Sequence, residues 1–251
     1  MDTKGILSKE FSAQDFAEEQ PYAEMLDRYK DMACNYARME NAIAVLSDLR
    51  TNASYIYYGK FSRMLEIGKY GNEAKVPSIW EEEIFRLFHP DDLASKHLQE
   101  LCFFHFVKCQ PKKERINYYL TSKLRMKTNS NGYMSVLHRM FYIYAAPFDA
   151  LWLALCLYSP LSFDIPAQCM IINSANGQIM ELDKHKSSKI LSVREKQVLN
   201  LIDKGFSSKE IAATLCISIN TVSRHRQEIL AKLQVKNSIE ACRIAKDLRL
   251  I

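Results

Sequence analysis

The chain has 251 residues, 48% of them hydrophobic and 25% charged, a composition typical of a globular protein with one large or two ordinary domains. No apolar run approaches the roughly 20 residues that cross a bilayer, and residues 1–20 lack the apolar core of a signal peptide, so we expect a cytoplasmic protein without a membrane partner. The net charge of +5 is unevenly distributed. The residues from Lys184 onward hold 14 Lys and Arg against 6 Asp and Glu, whereas the preceding residues hold 20 Lys and Arg against 23 Asp and Glu. This asymmetry predicts a polyanionic partner for the C-terminal part alone.

The first predicted element is a helix over residues 21–40, preceded by a flexible N-terminus over residues 1–20. Pro21 suits the first turn of a helix, where its missing N–H costs nothing. The apolar residues of this helix follow two seven-residue series, which are Tyr22, Tyr29, Tyr36 and Ile43, and Met25, Met32 and Met39. Such a seam indicates either a helix that packs on its own domain or one that pairs with its counterpart in a homodimer.

Paired strands and then helices are predicted next. Residues 42–49 and 55–58 are short apolar runs separated by a turn at Arg50-Thr51-Asn52, which indicates a strand pair. A helical pattern follows to about residue 109. Within it, Asp91 or Asp92 can cap the first turn of a long helix.

Three longer strands and a hairpin complete the part before residue 183. The favoured turn pair Asn131-Gly132 joins two of the strands, and Asn176-Gly177 lies in the last hairpin. The predicted strands cover residues 118–127, 133–145, 150–158, 169–173 and 178–182. Helices laid over one face of this antiparallel sheet predict an α+β domain over residues 41–182.

This order of elements resembles that of PAS-type sensor domains over roughly residues 40–160. The segment Phe88-His89-Pro90-Asp91-Asp92 is similar to the one that opens the long helix in many PAS domains. The resemblance implies a domain that senses a small-molecule ligand or another protein, or that dimerises. The hairpin after Pro160 lies outside the usual PAS pattern and receives no role.

The front part shows no motif of an enzyme or of a bound cofactor. It has no P-loop, no G-x-G-x-x-G and no G-x-S-x-G, so we predict a protein that is not an enzyme and has no catalytic residues. Seven scattered cysteines without C-x-x-C indicate reduced thiols. Cys102, His105 and Cys109 share one helical face, but Leu98 continues the same stripe, so core packing is favoured over a metal site. No cofactor and no metal are predicted.

A polar linker over residues 183–190 precedes four predicted helices over residues 191–251. Ser192 with Glu195, and Ser207 with Glu210, form capping boxes that start the first two. Gly205 ends the first helix, Ser218 caps the third, and Asn237 with Glu240 starts the fourth. The predicted inner faces consist of Val193, Val198, Leu199 and Ile202 in the first helix, Ile211, Ala212 and Leu215 in the second, Val222, Ile229 and Leu233 in the third, and Ile239, Ile244 and Leu248 in the fourth.

The third of these helices has the side chains of a DNA-recognition helix. Asn220, Arg224 and Gln227 lie opposite its apolar stripe, with Ser223 on the flank, and such side chains pair with base edges in the major groove. Lys209 and Thr221 begin helices, where phosphates bind. The remaining candidates for DNA contact are Lys232, Lys236 and Asn237 near the far end, and Arg226, whose stem is expected to pack while its head reaches a phosphate.

The last sixty residues resemble the LuxR-type helix-turn-helix domain of bacterial regulators. The resemblance runs along the whole tail through Leu191, Arg194-Glu195, Val198-Leu199, Gly205, Ser207, Lys209-Glu210-Ile211-Ala212, Leu215, Ser218, Thr221-Val222, His225-Arg226, Ile229, Lys232-Leu233, Val235 and Ala241. It implies binding to double-stranded DNA, pairing of two subunits through the fourth helix, and contact of Ser223, Arg224 and Gln227 with bases. The run Ser223-Arg224-His225 departs from the family's usual pattern, so no base preference is carried over.

The sequence therefore predicts a transcription regulator that binds DNA as a homodimer, with RNA polymerase as a further candidate partner. Two alternatives stay open. One is a sensor or interaction protein whose basic tail is a protein-assembly module, and the other is a sigma-factor-like promoter binder. The second would need a promoter-melting region upstream, and the sequence shows none. The ligand, the operator and the direction of regulation are not encoded in any motif.

Overall fold

The computed structural model describes residues 3–16, 21–130, 132–145, 150–182, 191–233, 235, 237–247 and 250–251. The predicted linker over residues 183–190 lies outside these residues, so the predicted domain division stays a prediction. Asn131 of the predicted turn, Lys236 of the predicted DNA contacts and Leu248 of the fourth helix's inner face also lie outside them. Among the helices that are described, none combines the length and the apolar character needed to cross a bilayer.

An antiparallel sheet of eight strands forms the front part of the molecule. Neighbours across the sheet follow the order β3-β2-β1-β6-β5-β4-β7-β8. The strands are β1 Ile43–Asp48, β2 Ala53–Tyr58, β3 Glu73–Val76, β4 Tyr118–Lys127, β5 Tyr133–Tyr144, β6 Leu151–Pro160, β7 Cys169–Asn173 and β8 Ile179–Glu181. The α+β class predicted from the sequence is confirmed, and the final hairpin gains a place as an extension of the sheet beyond β4.

The turn between β1 and β2 is closed by one carboxylate. Asp48 accepts hydrogen bonds from the backbone N–H of Arg50 (3.0 Å) and from the hydroxyl of Thr51 (2.7 Å). Asn52 takes a positive φ of 50°, a backbone conformation that Asn tolerates better than most residues. The buried Trp152 also donates to Asp48 from its indole Nε1 (3.1 Å), which ties this turn to the start of β6.

Helices cover both faces of the sheet, whereas the sequence predicted them over one face. One face of the sheet, here called the inner face, is covered by α1 Thr3–Ser12, α3 Glu82–Phe85 and α4 Pro90–Lys108. The opposite face, here called the outer face, is covered by α2 Tyr22–Met39. Two separate apolar clusters result, one on each side of the strands. The strands β1 and β6 are buried almost throughout because both of their faces are covered.

The N-terminus predicted to be flexible contains the helix α1. Leu7 is fully buried, and the ring of Phe11 lies edge-on to Phe104 of α4 with centroids 5.5 Å apart. These two apolar residues are four positions apart and therefore share one face of the helix. The polar composition of residues 1–20 concealed this short apolar face.

The helix α2 packs on its own domain and also keeps an exposed apolar stripe. Tyr22, Leu26, Ala33 and Ala37 are buried against the outer face of the sheet. Three other apolar side chains of α2 are exposed: Met32 by 52%, Tyr36 by 42% and Met39 by 85%. The helix thus packs on its own domain, as the first alternative has it, and the pairing with a second copy stays a prediction.

Four short helices form the C-terminal part. They are α5 Val193–Asp203, α6 Ser208–Leu215, α7 Ile219–Leu233 and α8 Ser238–Asp247. Their core contains ten apolar side chains that are almost completely buried: Leu191, Val198, Leu199, Ile211, Val222, Ile229, Leu233, Ala241, Ile244 and Ala245. The prediction was wrong for Val193 and Ile239, which are 71% and 84% exposed because each lies in the first turn of its helix, beyond the neighbouring helices.

Candidate nucleic-acid interface

Hydrogen-bonded caps fix where α5 and α6 begin and end. Both predicted capping boxes are present, with Ser192 and Glu195 at the start of α5 and Ser207 and Glu210 at the start of α6. After α5, Gly205 adopts a φ of +87°, the left-handed conformation that ends helices. These reciprocal bonds satisfy N–H groups that a helix leaves without partners, and they hold α6 at a defined position after α5.

The turn between α6 and α7 is equally well defined. Cys216 adopts a left-handed conformation with φ +54° at the end of α6. The hydroxyl of Ser218 then accepts a hydrogen bond from the backbone N–H of Thr221 (3.0 Å). A short connection of this kind makes α6 and α7 a helix-turn-helix pair. In DNA-binding proteins with this motif, the second helix of the pair enters the major groove.

The exposed face of α7 carries the polar side chains expected from the helical wheel. Asn220, Ser223, Arg224 and Gln227 are exposed, whereas Val222, Ile229 and Leu233 are buried. These side chains are exposed in the complete chain, so no described residue of the sheet domain covers this face of α7. Amide and guanidinium groups on such a surface can form paired hydrogen bonds with adenine and guanine.

Three other predicted residues lie at helix starts. Lys209 is exposed in the first turn of α6, and Thr221 is half-buried in the first turn of α7. The hydroxyl of Thr221 lies 2.9 Å from that of Ser218, so it belongs to the cap of α7. Asn237 is exposed and accepts a hydrogen bond from the backbone N–H of Glu240 (2.9 Å), which makes it the cap of α8.

Lys232 forms an ion pair that its sequence neighbourhood does not predict. Its Nζ lies 2.7 and 2.8 Å from the two carboxylate oxygens of Glu195, whose side chain is only 2% exposed. Burial opposes ionisation of Glu195, but hydrogen bonds from Lys232 and Ser192 outweigh it and lower the pKa of this carboxyl. Lys232 therefore joins the end of α7 to the start of α5.

Arg226 bridges two neighbouring helices and has a half-buried side chain. Its guanidinium donates to the hydroxyl of Ser208 on α6 (3.0 Å) and to that of Ser238 on α8 (3.1 Å). The predicted packing of its stem agrees with this position. The predicted contact of its head with a phosphate stays a prediction, and it would compete with these two hydroxyls.

Two further interactions around α7 were not predicted. Arg194 donates to Gln197 and to the backbone carbonyl of Leu215, so it holds the end of α6 against α5. Glu228 lies between two basic side chains, 3.5 Å from Arg224 and 3.4 Å from His225. Arg224 thus has a surface ion-pair partner one helical turn away.

Comparison with known families places the C-terminal part in a defined class. Residues 189–245 match the family model described as bacterial regulatory proteins of the luxR family. The matched residues span the four helices α5 to α8, apart from the last residues of α8. The resemblance predicted from the sequence is confirmed for this part of the chain.

Curated relatives match over a similar length. The oxygen regulatory proteins NreC of Staphylococcus aureus strains JH9 and USA300 are each 43% identical over 63 residues. That stretch is 25% of this chain and 29% of each relative. The chain therefore spans less than a third of the length of the curated relatives that it matches.

Solved structures with long overlaps are only distantly similar. A phage VqmA in complex with DPO covers 90% of each chain with 13% identity and a TM-score of 0.34. Escherichia coli SdiA covers 99% of this chain and 97% of its own with 15% identity and a TM-score of 0.25. Such low TM-scores establish neither a shared ligand nor a shared arrangement of domains.

Proposed function

We propose that the chain, which carries a LuxR-family helix-turn-helix domain over residues 189–245, is a transcription regulator that binds specific sites in double-stranded DNA. One observation carries the proposal: Asn220, Arg224 and Gln227 form an exposed polar face on the second helix of the helix-turn-helix pair. RNA polymerase is a further partner in this proposal, since a regulator acts on transcription.

The charge distribution supports a polyanionic partner. Residues from Lys184 onward carry the net positive charge of the chain, while the sheet domain is slightly acidic. In the proposed complex, Lys209 and Thr221 contact phosphates and set the position of α7, and Arg224 and Gln227 distinguish bases. Ser223 and Asn220 provide shorter polar contacts on the same face.

The test compares Arg224→Ala with Lys209→Ala in the full chain. We expect Arg224→Ala to cost about 1–3 kcal/mol at the preferred site and to relax base preference there. Lys209→Ala should weaken binding to all sequences alike and reduce the slope of log affinity against log salt concentration by about one. Mobility shift at several salt concentrations, on a duplex selected from a random pool and on an unrelated duplex, separates the two effects.

The same measurement distinguishes the proposal from its alternatives. A protein-assembly module would bind no duplex at low ionic strength, and that result would end the DNA-binding proposal. If Arg224→Ala binds every duplex as the parent does, Arg224 does not contact bases. A promoter binder of the sigma-factor type would show its preference only together with RNA polymerase.

Dimerisation is the role of the sheet domain that the structure supports best. The exposed stripe of Met32, Tyr36 and Met39 runs along α2 beside the part of this helix that packs on the sheet. Apolar side chains in such a row are typical of a surface that pairs with a second copy. Linking two helix-turn-helix domains raises their effective concentration at a two-fold DNA site.

Sensing of a small molecule is the second proposed role of this PAS-like domain. A cleft of about 390 Å³ between α4 and the strands β4 and β5 is large enough for such a ligand, and its walls include Gln99, Lys123 and Gln168. The buried side-chain oxygen of Gln99 has no hydrogen-bond partner. Filling the cleft with Ser95→Trp should abolish any ligand-induced rise in thermal stability, whereas an unchanged rise would place the ligand elsewhere.

A further inference from the structure

Three side chains with metal-binding atoms meet inside the sheet domain. Glu100 comes from α4, His138 from β5 and Cys156 from β6, and all three are buried. One ligand atom of each lies within 4.8 Å of the others. They lie on different elements, so the fold rather than one local motif brings them together.

His138 is oriented as a metal-binding histidine is. Its Nδ1 lies 3.0 Å from the hydroxyl of Ser122, which is itself completely buried. Its Nε2 has no hydrogen-bond partner and lies 4.0 Å from a carboxylate oxygen of Glu100. Histidine ligands in proteins usually donate from the other ring nitrogen to a neighbouring acceptor, which leaves a lone pair aimed at the metal.

A small cavity lies beside two of the three residues. A cavity of about 30 Å³ borders Glu100 and Cys156, with Glu81 and Lys96 also in its wall. This volume is about that of one or two water molecules, far below the several hundred Å³ of pockets for organic ligands. The cavity thus has room for one ion or one or two water molecules beside Glu100 and Cys156.

One buried ammonium and two buried carboxyl groups border the cavity. Lys96 is buried and donates to Glu100 at 2.5 Å, whereas Glu81 accepts from the hydroxyls of Ser47 and Ser54, at 3.0 and 2.7 Å. Burial raises the pKa of the Glu81 carboxyl, so Lys96 faces one ionised partner, Glu100, and a second carboxyl whose charged form is disfavoured. A divalent ion bound to the Cys156 thiolate would favour ionisation of Glu81, and the ion, the thiolate, the two carboxylates and Lys96 would then be neutral together.

We propose that Glu100, His138 and Cys156 bind one divalent transition-metal ion of the Zn²⁺ class. Thiolate and imidazole ligands select such ions over Mg²⁺ and Ca²⁺, and three protein ligands leave a fourth position open toward the cavity. Binding replaces the thiol proton of Cys156, which passes to solvent. Burial raises the pKa of this thiol, so the metal ion rather than ambient pH removes the proton.

Two neighbouring residues act as outer supports of the site. Lys96 donates to Glu100 and orients its carboxylate, and Ser122 orients the ring of His138. Removing such a support usually lowers metal affinity ten- to a hundred-fold without removing a ligand. Ser122→Ala should therefore lower the metal affinity of the site. A cluster with only a structural role would show no such change.

The experiment uses the full chain, stripped with a chelator and titrated with Co²⁺ as an optical probe of a thiolate site. We expect one equivalent to bind with a near-ultraviolet thiolate-to-cobalt charge-transfer band, and Zn²⁺ to displace it. Cys156→Ser should lose the band, and Ser122→Ala should raise the dissociation constant about ten- to a hundred-fold. Cys34→Ala, which alters a half-buried thiol on α2, is the matched control and should keep both.

Two results would overturn the proposal. One is the absence of a charge-transfer band and of stoichiometric metal in the unmodified chain, which needs no variant and so does not depend on a variant's folding. The other is a band that survives in both Cys156→Ser and His138→Ala, because the metal would then be bound by other residues. Circular dichroism of each variant checks that the domain is folded.

Discussion

The ion pair of Glu195 and Lys232 joins two partners of very different exposure. The carboxylate is buried and also accepts from the backbone N–H of Ser192, while the Lys232 side chain is 44% exposed. Removing the cation alone would leave a buried charge with only its cap interactions, and that is more costly than the loss of a surface ion pair. A residue predicted from sequence to contact DNA thus has a structural role in the free protein.

We expect Lys232→Met to destabilise the C-terminal domain by about 1–3 kcal/mol, because it leaves the buried Glu195 without its cation. Since the folded-state pKa of Glu195 is lowered, its stabilising contribution is present above its ordinary pKa and is lost as the pH falls through the folded value. The variant should therefore lose less stability than the parent on acidification. Urea unfolding by far-ultraviolet circular dichroism measures both effects.

Lys204→Met is the control for this experiment, because Lys204 is exposed at the end of α5. It removes the same charge without touching Glu195 and should leave the urea midpoint unchanged. Equal midpoints for Lys232→Met and the parent would show that the ion pair contributes nothing to stability.

The position and partners of some side chains can be predicted from the sequence alone, whereas those of others cannot. Asn220, Arg224 and Gln227 follow from helical periodicity, which is a local property of the chain. The partners of Lys232 and Arg226 are 12 to 37 positions away, at Glu195, Ser208 and Ser238. No local pattern encodes such pairings. The cluster of Glu100, His138 and Cys156 was missed for the same reason.

Among the elements, α2 shows how an apolar seven-residue series divides between two faces. Tyr22 and Tyr29 lie against Trp152, with ring centroids 5.0 and 5.9 Å apart, whereas Tyr36 is exposed. A straight helix drifts by roughly 20° for every seven residues, so residues of one series do not stay on one face. The drift moves Tyr36 into the exposed stripe with Met32 and Met39.

We expect the double variant Met32→Glu, Met39→Glu to weaken self-association without unfolding the domain, because both side chains are exposed in the single chain. Burial of a methionine side chain contributes about 1.5–3 kcal/mol, so the dissociation constant of the dimer should rise at least about tenfold. Sedimentation velocity at several concentrations measures this. Ala23→Glu, on an exposed part of α2 away from the stripe, should have no effect. A double variant that dimerises like the parent would move the interface away from α2.

The elements that were predicted well are those with strong local signals. Capping boxes located α5 and α6, and paired apolar runs located β1, β2 and the three long strands. The strand β3 was missed because it is short and alternates half-buried residues with the exposed Glu73 and Lys75. Its place in the sheet depends on pairing with β2, which the composition of this segment does not reveal.

At the scale of the whole molecule, buried histidines make stability depend on pH. Burial lowers the pKa of His97 to about 4, and the pKa of His105 is lowered to about 4 for the same reason. The unfolded chain binds these protons near pH 6.5, whereas the folded chain does not bind them until the pH is much lower. Their neutral forms therefore favour folding above pH 6.5, and this advantage is lost as the pH falls toward 4.

We expect the sheet domain to lose on the order of 2 kcal/mol through His97 alone between pH 7 and pH 5. Urea unfolding followed by tryptophan fluorescence measures it, because Trp80 and Trp152 both lie in the sheet domain and Trp80 contacts His97. His97→Gln should flatten the pH profile, whereas His225→Gln, in the C-terminal domain, should not. Identical profiles for the parent and His97→Gln would contradict the assignment.

The two outermost strands of the sheet bear on how copies of this protein can meet. Open backbone groups along a strand invite another strand to add, and long, flat apolar margins promote uncontrolled aggregation. Here β3 spans four residues and presents Glu73 and Lys75, and β8 spans three residues and ends at Glu181. Margins this short and this charged offer little for strand addition. The proposed association between copies would therefore use helical surfaces rather than a continuous intermolecular sheet, and it could then stop at two.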